Sequence, residues 1–531
     1  MKTGSFTPVD RATVFLHTRL WRGSIFPVVA VCHAVSGLLL MRLYPHHMTT
    51  DTPSYISIAR HYAEGRFHDA VNWFWSPLIS WLLAPFLRIG MDPISSLHLL
   101  GLMTGLAGLI GCRGIFRELG LPERAQNILL LALIPVLHAF SLVNPNPDLL
   151  AAVLLLFYVR LIIARDYAEN PWIAPFCGLL GALAYFAKAY AFPFFAAHFL
   201  LVNVCRHIGE RDFLRRRNVR RSCLLGLAAF LLLSSAWIGV LYAKYGRLTI
   251  STIGEYNFRL VNDVSGVSYL SDGFAEPPVP TALSAWEDPT QLAEARLKPI
   301  DASRVIEDTV SRIGRNILNT IDAYQAGSVF AMASLALTAI GLIGLSPRAM
   351  LGNARFLVLL TVLLLPAGYL PLLMNRRYLY IGLLLIYALG GSLLLGVTTW
   401  SSRRRTAALF ILCFSFMLLP LRDLRANVHF NREIYELATF FAAQGVQGRI
   451  ASNGSYDRSL FLTHFLAGER KGAAFLGVSR SGASAGELED ALRRHAIDYY
   501  LCWAQHSCDL RPGFPAIVPG GHSVVRVYRV R

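Results

Sequence analysis

The stretch His46-His-Met-Thr-Thr-Asp51-Thr-Pro-Ser-Tyr55 follows the first long apolar run of the chain, which extends from about Ser24 to Tyr44. The run is long enough to cross a bilayer as one helix. Basic residues precede it, as in a signal anchor, but no small-residue cleavage site follows, so we expect the helix to be retained. Asp51 is then a carboxylate at the water-facing mouth of a helical bundle.

The composition indicates a polytopic α-helical membrane protein. Of 531 residues, 54% are hydrophobic and 16% are charged, with a mean hydropathy of +0.45. A soluble protein of this size could not cover so much apolar surface. We predict about eleven transmembrane helices within a membrane domain that covers residues 1–421. The predicted spans are 24–44, 93–115, 125–142, 149–164, 172–187, 190–205, 223–243, 327–345, 356–373, 379–399 and 407–421.

Two segments of the first outer loop, 45–92, are not counted as spans. Residues 53–66 are amphipathic, and we predict that they lie along the membrane interface. Residues 77–89 are apolar but short and contain Pro85, so we place them in the same loop. If 77–89 did cross the membrane, the sidedness of every later helix would be reversed.

The charge distribution predicts the orientation of the bundle. The formal charge is +17, and the chain has 50 basic residues, of which only Lys2, Lys188, Lys244, Lys298 and Lys471 are lysines. The charges lie in short loops between apolar runs, which is typical of membrane topology rather than of nucleic-acid binding. We place Arg206–Arg221 and Arg403–Arg405 in the cytoplasm, together with the N-terminus. The second long loop, 244–326, is then outside, as is the pair Arg376-Arg377, which breaks the charge rule and points to a functional cause.

Residues 422–531 are predicted to form a small extracytoplasmic α/β domain. Segments 449–453, 498–503 and 523–530 have strand patterns, and 459–466 and 485–495 have helical patterns. Cys502 and Cys508 could pair there in an oxidising compartment or remain free. The sequence contains no phosphate-binding Gly-Lys loop, no Cys-x-x-Cys pair and no His-Glu-x-x-His, so ATP-driven transport and zinc-protease chemistry are unsupported.

Three aspartates at the starts of helices are candidates for acid–base chemistry. Asp51 could act as a general base or cap the next helix. Asp148 follows Asn144-Pro-Asn-Pro and has the same two alternatives, and Asp92 before Pro93 is a competitor of the same kind. Asp51 and Asp148 could also share a divalent metal ion, and the metal requirement stays open.

Basic and aromatic residues supply candidates for binding. Lys188 interrupts an apolar run and either extends to the interface or binds a phosphate. Arg376 and Arg377 could bind a phosphate through forked hydrogen bonds or contact lipid headgroups. Tyr55, Glu255 and Tyr256 are candidates for substrate contacts. His46 and His47, in contrast, fit interface residues better than ligands.

The order of several short motifs resembles the GT-C superfamily of membrane glycosyltransferases, of the aminoarabinose transferase and protein mannosyltransferase type. The motifs are Asp51-Thr-Pro-Ser-Tyr55, Ala63-Glu-Gly65, Ser76-Pro77-Leu78, Asn146-Pro-Asp148, Lys188 and Arg377-Tyr378. The resemblance covers most of the chain, including the tail. The chain departs from the family at Ser76-Pro77, where a Pro-Pro pair is commoner.

The resemblance implies a reaction and a place for it. Such enzymes transfer a sugar from a polyprenyl-phosphate carrier to an acceptor hydroxyl of a glycan, lipid or protein, usually with inversion, on the outer face of the membrane. Asp51 matches the catalytic base and Asp148 the second acidic residue, while Lys188 and Arg377 match residues that hold the carrier phosphate. Arginine-rich, lysine-poor usage hints at a GC-rich bacterial genome, and we therefore expect the protein in a bacterial inner membrane. The alternatives are a transporter or flippase of lipid-linked sugars, or a structural membrane subunit.

Overall fold

The computed structural model describes residues 25–263, 273–290, 292–293, 302–469, 472–508, 510, 514–519 and 524–531. The predicted cytoplasmic N-terminus and parts of loop 244–326 lie outside these residues. The helices are α1 (Phe26–Met41), α2 (Thr52–Ala63), α3 (Phe67–Ala70), α4 (Leu78–Arg88), α5 (Pro93–Glu118), α6 (Glu123–Leu142), α7 (Asp148–Ile163), α8 (Ile173–Ala187), α9 (Ala191–Gly209), α10 (Phe213–Tyr245), α11 (Ile253–Asn262), α12 (Ala302–Gly327), α13 (Ala331–Ile343), α14 (Pro347–Leu351), α15 (Ala354–Leu364), α16 (Tyr380–Gly396), α17 (Ser402–Ala426), α18 (Arg432–Ala443), α19 (Tyr456–Glu469) and α20 (Ala485–Arg494). The strands are β1 (Gly273–Phe274), β2 (Arg449–Ser452), β3 (Ala474–Val478), β4 (Tyr499–Trp503), β5 (Ala516–Ile517) and β6 (Val525–Arg529), and two 3₁₀ turns cover Ala285–Glu287 and Arg376–Leu379.

The helical bundle has the character of a multi-pass membrane protein. Among the described residues, six helices are long and apolar enough to cross a bilayer: α5, α6, α9, α10, α17, and α16 together with the turn before it. A seventh is added if α12 and α13, which are bent by 104° relative to each other, form one broken span. Each of the eleven predicted stretches contains a helix, and the number that cross the membrane stays a prediction.

The first outer loop folds back on the bundle. Helix α4 has 11 residues, so it is about 16 Å long, too short to cross the hydrocarbon core. It packs against α2, where the Ser80 hydroxyl donates to the carbonyl of Tyr55 at 3.1 Å. The prediction that 53–66 lies along the membrane interface is wrong, because α2 is buried from Thr52 through Ala59. Protein surrounds the helix from Thr52 to Ala59, while Glu64 and Gly65 after it are exposed.

A six-stranded mixed sheet forms near the C-terminus, with strand order β1-β3-β2-β4-β6-β5. Strands β2, β4 and β6 and helices α19 and α20 match the predicted elements, whereas β3 and α18 were not predicted. Strand β1 comes from loop 244–326, and one core joins Ile56 and Trp75 of the first loop to Phe441 and Trp503. An apolar face must be buried against another layer, and here the outer loops supply that layer. The assignment of 422–531 as a separate domain stays a prediction.

A disulfide joins Cys502, in β4, to Cys508. The other six cysteines are free, and all of them lie in the helical bundle. Disulfides persist where the environment is oxidising, and the compartment that this region faces stays a prediction.

Helices α7 and α9 define the two ends of the bundle. Asp148 begins α7 and Lys188 precedes α9, and these two side chains form an ion pair at one end. Ile163 and Arg206, near the ends of the same helices, line one cavity at the other end. Fifteen to eighteen helical residues separate the ends by roughly 25 Å. The acidic candidates and the arginine-rich loop 206–221 therefore lie at opposite ends, and the compartment that each end faces stays a prediction.

Candidate active site

Arg377 connects the two aspartates singled out by the sequence. Its Nη2 donates to Oδ2 of Asp51 at 2.7 Å, and its Nε lies 3.4 Å from Oδ2 of Asp148. Asp148 is buried, with a side chain only 3% exposed, while Asp51 and Arg377 are partly buried. One guanidinium therefore neutralises two carboxylates that are 97 positions apart in the sequence.

Lys188 completes the cluster from the other side of Asp148. Its ammonium donates to Oδ1 of Asp148 and lies 3.7 Å from the ring centre of Tyr378. Lys188 terminates α8 in an extended conformation, which turns its side chain away from the apolar helix and toward the aspartate. We refer to Asp51, Asp148, Lys188 and Arg377 as the charge cluster. It contains two carboxylates and two cations, so it is neutral overall.

The helix starts distinguish the candidate aspartates. Asp92 caps α5, because its side chain accepts from the Ser95 amide at 2.8 Å, which is a structural role. Asp51 occupies the same position before α2, but its side chain makes no cap hydrogen bond. Asp148 is the first residue of α7 and directly follows Pro147. The carboxylates of Asp51 and Asp148 are therefore directed at Arg377 rather than at their own helices.

Two asparagines position Arg377. Asn375 caps the 3₁₀ turn, since its side chain accepts from the Arg377 amide at 3.2 Å. Asn146 lies beside the guanidinium, and with its amide oxygen turned toward Arg377 it accepts from Nη1 at 2.5 Å. That orientation is assigned from the hydrogen-bond network. Neither asparagine was predicted to be functional, although Asn146 begins the motif Asn146-Pro-Asp148 and Asn375 directly precedes Arg376-Arg377.

A stack of tyrosines, also missed from the sequence, borders the cluster. The Tyr378 ring lies 4.6 Å from that of Tyr369, which lies 3.8 Å from that of Tyr190. Tyr190 is anchored by donating its hydroxyl to the Leu365 carbonyl at 2.6 Å. The stack fixes the ring on which the Lys188 ammonium rests. In a membrane protein, the sequence does not distinguish a tyrosine that borders an active site from one that only packs against its neighbours.

Arg376, predicted alongside Arg377, points elsewhere. It lines a cavity of about 200 Å³ that begins beside the charge cluster and continues between α6, α16 and α17. The polar end is formed by Asn144, Asn375, Arg376, Arg377 and Asp423, and the apolar walls include Leu133, Val136, Phe140, Leu383, Leu384, Phe416 and Leu419. Tyr387 also lines it, ten residues after Arg377, so it extends about 15 Å into the bundle. We refer to it as the apolar slot.

The other sequence candidates have different surroundings. Tyr55 is buried near the charge cluster and packs edge-on against Trp75. Tyr256 is buried between Phe74 and Trp286, whereas Glu255 forms ion pairs with Arg247 and Arg259. The structure thus brings together Asp51, Asp148, Lys188 and Arg377 and places Tyr55 next to them. The substrate contacts predicted for Tyr55, Glu255 and Tyr256 stay predictions.

The predicted interface histidines are held by protein. His46 stacks on Tyr435 with ring centres 3.9 Å apart. His47 is buried with its Nε2 2.8 Å from the Val143 carbonyl, and burial lowers its pKa to about 4. Neither points to the charge cluster as a ligand.

Burial shapes the charges of the site. Burial lowers the pKa of Lys188, and the neighbouring Asp148 opposes this shift. Burial also holds the pKa of Tyr55 well above its ordinary value, and the charge of Asp51 acts in the same direction. A buried ammonium is stable only while its carboxylate partner is present, so Lys188 depends on Asp148 for its charged state.

The residues of the site do not suit a divalent metal ion. Among the described residues, no three His, Cys, Asp or Glu side chains approach closely enough to hold one. The space between Asp51 and Asp148 is spanned by the Arg377 guanidinium, which already neutralises both carboxylates.

Comparison with known proteins identifies the architecture. No family model and no curated protein matches the chain. The oligosaccharyltransferase of Archaeoglobus fulgidus in its apo form gives a TM-score of 0.57 at 11% identity, over 91% of this chain and 70% of that one. The oligosaccharyltransferase AglB from the same organism, in complex with an inhibitory peptide and a dolichol-phosphate, gives 0.52 at 12% identity, over 90% and 69%. The chain has the GT-C glycosyltransferase fold. ArnT from Cupriavidus metallidurans bound to undecaprenyl phosphate, another GT-C protein, gives 0.49 at 12% identity, over 94% and 98%.

The GT-C resemblance drawn from short motifs is therefore confirmed at the level of the fold. Identities of 11–12% carry no residue-level assignment. The subfamily, the donor, the acceptor and the roles of individual residues stay predictions.

Proposed function

We propose that this chain is a glycosyltransferase that moves a sugar from a polyprenyl-phosphate donor to an acceptor hydroxyl on a glycan, lipid or protein. The observation that carries the proposal is the charge cluster at the mouth of the apolar slot. Two carboxylates and two cations are the groups needed to remove a proton and to neutralise a departing phosphate. An apolar slot beside them suits a lipid carrier. We further propose eleven spans in a bacterial inner membrane, with the site and C-terminal region extracytoplasmic.

The reaction is a single displacement. The acceptor oxygen attacks the anomeric carbon, its proton passes to a carboxylate oxygen of Asp51, and the bond from the anomeric carbon to the phosphate oxygen breaks with its electron pair on that oxygen. The products are the glycosylated acceptor, with inversion at the anomeric carbon, and polyprenyl phosphate. Lys188 and Arg377 stabilise the charge that develops on the phosphate, and Asp51 acts as general base.

The apolar slot supports a lipid-linked donor. Its polar end lies at Arg376 and Arg377, and its walls are apolar for about 15 Å into the bundle. A prenyl chain can occupy such a slot while its phosphate stays beside the arginines. One GT-C structure with the same fold contains a dolichol-phosphate, which is a carrier of this chemical class.

Arg377 couples donor binding to the release of the base. In this structure its guanidinium donates to Oδ2 of Asp51 at 2.7 Å, so this carboxylate oxygen is already occupied by a hydrogen-bond donor. A donor phosphate competes for the same guanidinium, because arginine binds phosphate through paired hydrogen bonds. We propose that donor binding draws Arg377 away from Asp51 and frees Asp51 to accept the acceptor proton.

Transport of lipid-linked sugars is less well supported than transfer. Transporters place charged groups near the middle of the membrane between related repeats. Here the cations and carboxylates of the cluster lie at helix ends, and Asp148 and Lys188 occupy the same end of α7 and α9.

The test uses purified full-length protein with radiolabelled polyprenyl-phosphate sugars, extracted lipids, glycans and proteins as acceptors, and single-turnover detection of the product. Asp51→Asn should lower the transfer rate by about 10²–10⁴-fold, the typical contribution of a general base, while donor binding is retained. Asp92→Asn is the matched control, because asparagine also caps helices well and the site is untouched. Equal transfer by Asp51→Asn and wild type would remove Asp51 from the mechanism. Release of sugar across a vesicle membrane without a covalent product would favour transport.

A further inference from the structure

A second polar cavity, of about 490 Å³, lies at the end of the bundle opposite the charge cluster. It is lined by the ends of α5, α7 and α9 and by the starts of α10 and α15. Its charged lining residues are Arg165, Arg206, Arg215, Arg355, Glu118, Glu169 and Glu210. We refer to it as the arginine cavity. It is about 25 Å from the charge cluster along α7 and α9, so it is a separate site.

Arg206 is the central cation of this cavity. Its Nη2 donates to the Ala164 carbonyl at 2.9 Å, and its guanidinium lies 5.0 Å from the ring centre of Tyr167. Both partners are neutral. Its Nε is buried and has no hydrogen-bond partner among the described residues. The hydrogen-bond acceptor of Arg206 is a neutral carbonyl, and its buried Nε keeps a free donor that an anion can satisfy.

The cavity has fewer carboxylates than arginines, and one of the carboxylates, Glu118, lies near Arg165 and Arg206. Glu169 pairs with Arg215 at 2.7 Å, and Glu210 lies 3.9 Å from the same guanidinium. Arg355 donates its Nε to the neutral Ser392 hydroxyl at 3.0 Å. The four arginines and three glutamates of the lining leave one net positive charge, and loop 206–221 adds further arginines next to it.

Three exposed apolar side chains adjoin, along the chain, residues that line the cavity, and we refer to them as the apolar rim. Ile208, at the end of α9, is 50% exposed, and Phe213 and Leu214, at the start of α10, are 70% and 64% exposed. These side chains follow directly on the helix end that carries Arg206. Basic pockets between helix ends beside an apolar surface are suited to lipid headgroups, whose phosphate binds the arginines while the acyl chains contact the apolar rim. A free phosphate would make no use of that rim.

We infer that the arginine cavity binds the phosphodiester headgroup of a membrane phospholipid, with Arg206 and Arg165 contacting the phosphate and Phe213 and Leu214 contacting the acyl chains. The site does not depend on the proposed transferase reaction. It would anchor one end of the bundle at the bilayer surface opposite the charge cluster.

The experiment measures binding to the full-length protein in detergent by native mass spectrometry. The probes are phosphatidylglycerol, diacylglycerol of the same chain length and inorganic phosphate. Arg165→Gln should weaken phosphatidylglycerol binding by about tenfold, and the Arg165→Gln/Arg206→Gln double variant by about a hundredfold, because each change removes a charge-assisted hydrogen bond. Arg217→Gln is the matched control: Arg217 is an exposed arginine of the same loop that does not line the cavity.

Retained binding by Arg217→Gln, together with loss by the cavity variants, is the expected result. Equal weakening by Arg217→Gln would overturn the inference, because only the surface charge would then matter. Equal binding of diacylglycerol would exclude phosphate recognition, and phosphate that binds as tightly as the lipid would exclude a lipid site. Arg165 has an exposed side chain, so its single variant keeps the test decisive if the double variant does not fold.

Discussion

Arg377 offers the sharpest test of the site, because its neighbour Arg376 supplies a control of identical chemistry. Both arginines belong to one 3₁₀ turn. Only Arg377 contacts the carboxylates of Asp51 and Asp148, whereas Arg376 lines the apolar slot. We therefore compare Arg377→Gln with Arg376→Gln. The first change removes the cation from between two carboxylates, and the second removes the same charge from the adjacent position.

The contacts give the size of the effect. Arg377 makes a charge-assisted hydrogen bond to Asp51 at 2.7 Å and an ion pair with Asp148 at 3.4 Å. A hydrogen bond to a charged group contributes about 1.5–3 kcal/mol. Without the guanidinium, two carboxylates on the order of 6 Å apart repel each other by about 3 kcal/mol at an effective dielectric constant of about 20. We expect Arg377→Gln to cost about 3 kcal/mol or more of stability, and to weaken donor binding by at least roughly a hundredfold.

Two measurements check this expectation. The melting temperature, followed by tryptophan fluorescence in detergent, should fall for Arg377→Gln and change little for Arg376→Gln. The Asp51→Asn/Arg377→Gln double variant should recover stability, because it removes one of the two like charges, and the non-additivity measures the coupling. Titration with polyprenyl phosphate should also show weaker binding by Arg377→Gln than by wild type. The reasoning is refuted if Arg376→Gln lowers the melting temperature as much as Arg377→Gln does.

Further predictions concern other parts of the chain. Lys188→Met keeps the apolar stem but leaves Asp148 without its ammonium, and titration should show polyprenyl phosphate binding weakened by about tenfold or more. Gly178→Ala should lower the melting temperature, because the added Cβ would lie 2.2 Å from the Gly226 carbonyl oxygen. The expected cost is about 1–3 kcal/mol of stability. Gly239→Ala is the control and should be neutral, because its Cβ would meet no atom within 4 Å. Burial lowers the pKa of His464 in the folded protein to about 3, whereas an unfolded histidine has a pKa of about 6.5. Between about pH 6.5 and about pH 3 the unfolded state therefore binds more protons than the folded state, and stability falls as the pH drops. His464→Leu should therefore flatten the decline of the melting temperature between pH 7 and pH 5, and an unchanged decline would exclude this histidine as its source.

Local patterns predicted the helices well and their surroundings less well. The apolar runs around residues 125–142 and 379–399 are helical because an apolar segment in a membrane must satisfy its own backbone hydrogen bonds. The amphipathic pattern of 53–66 correctly predicted a helix, but it placed that helix against the membrane interface instead of against protein. A polar helix face can contact protein as well as water. Strand β3 and its pairing with β1 depend on segments about 200 positions apart, which no short window of sequence contains.

The sequence by itself determined the membrane class, the helical stretches and the identities of the candidate residues, because hydropathy and charge are properties of short segments. It also indicated the GT-C fold through the order of its motifs. Only the tertiary structure decided that Asp92 is a cap while Asp51 and Asp148 share one guanidinium, and that Arg377 rather than Arg376 supplies it. Successive residues of a 3₁₀ turn point about 120° apart, so adjacent identical side chains face different surroundings. The contact between Asp51 and Arg377 spans 326 positions, and it exists because the packed helices bring their ends together.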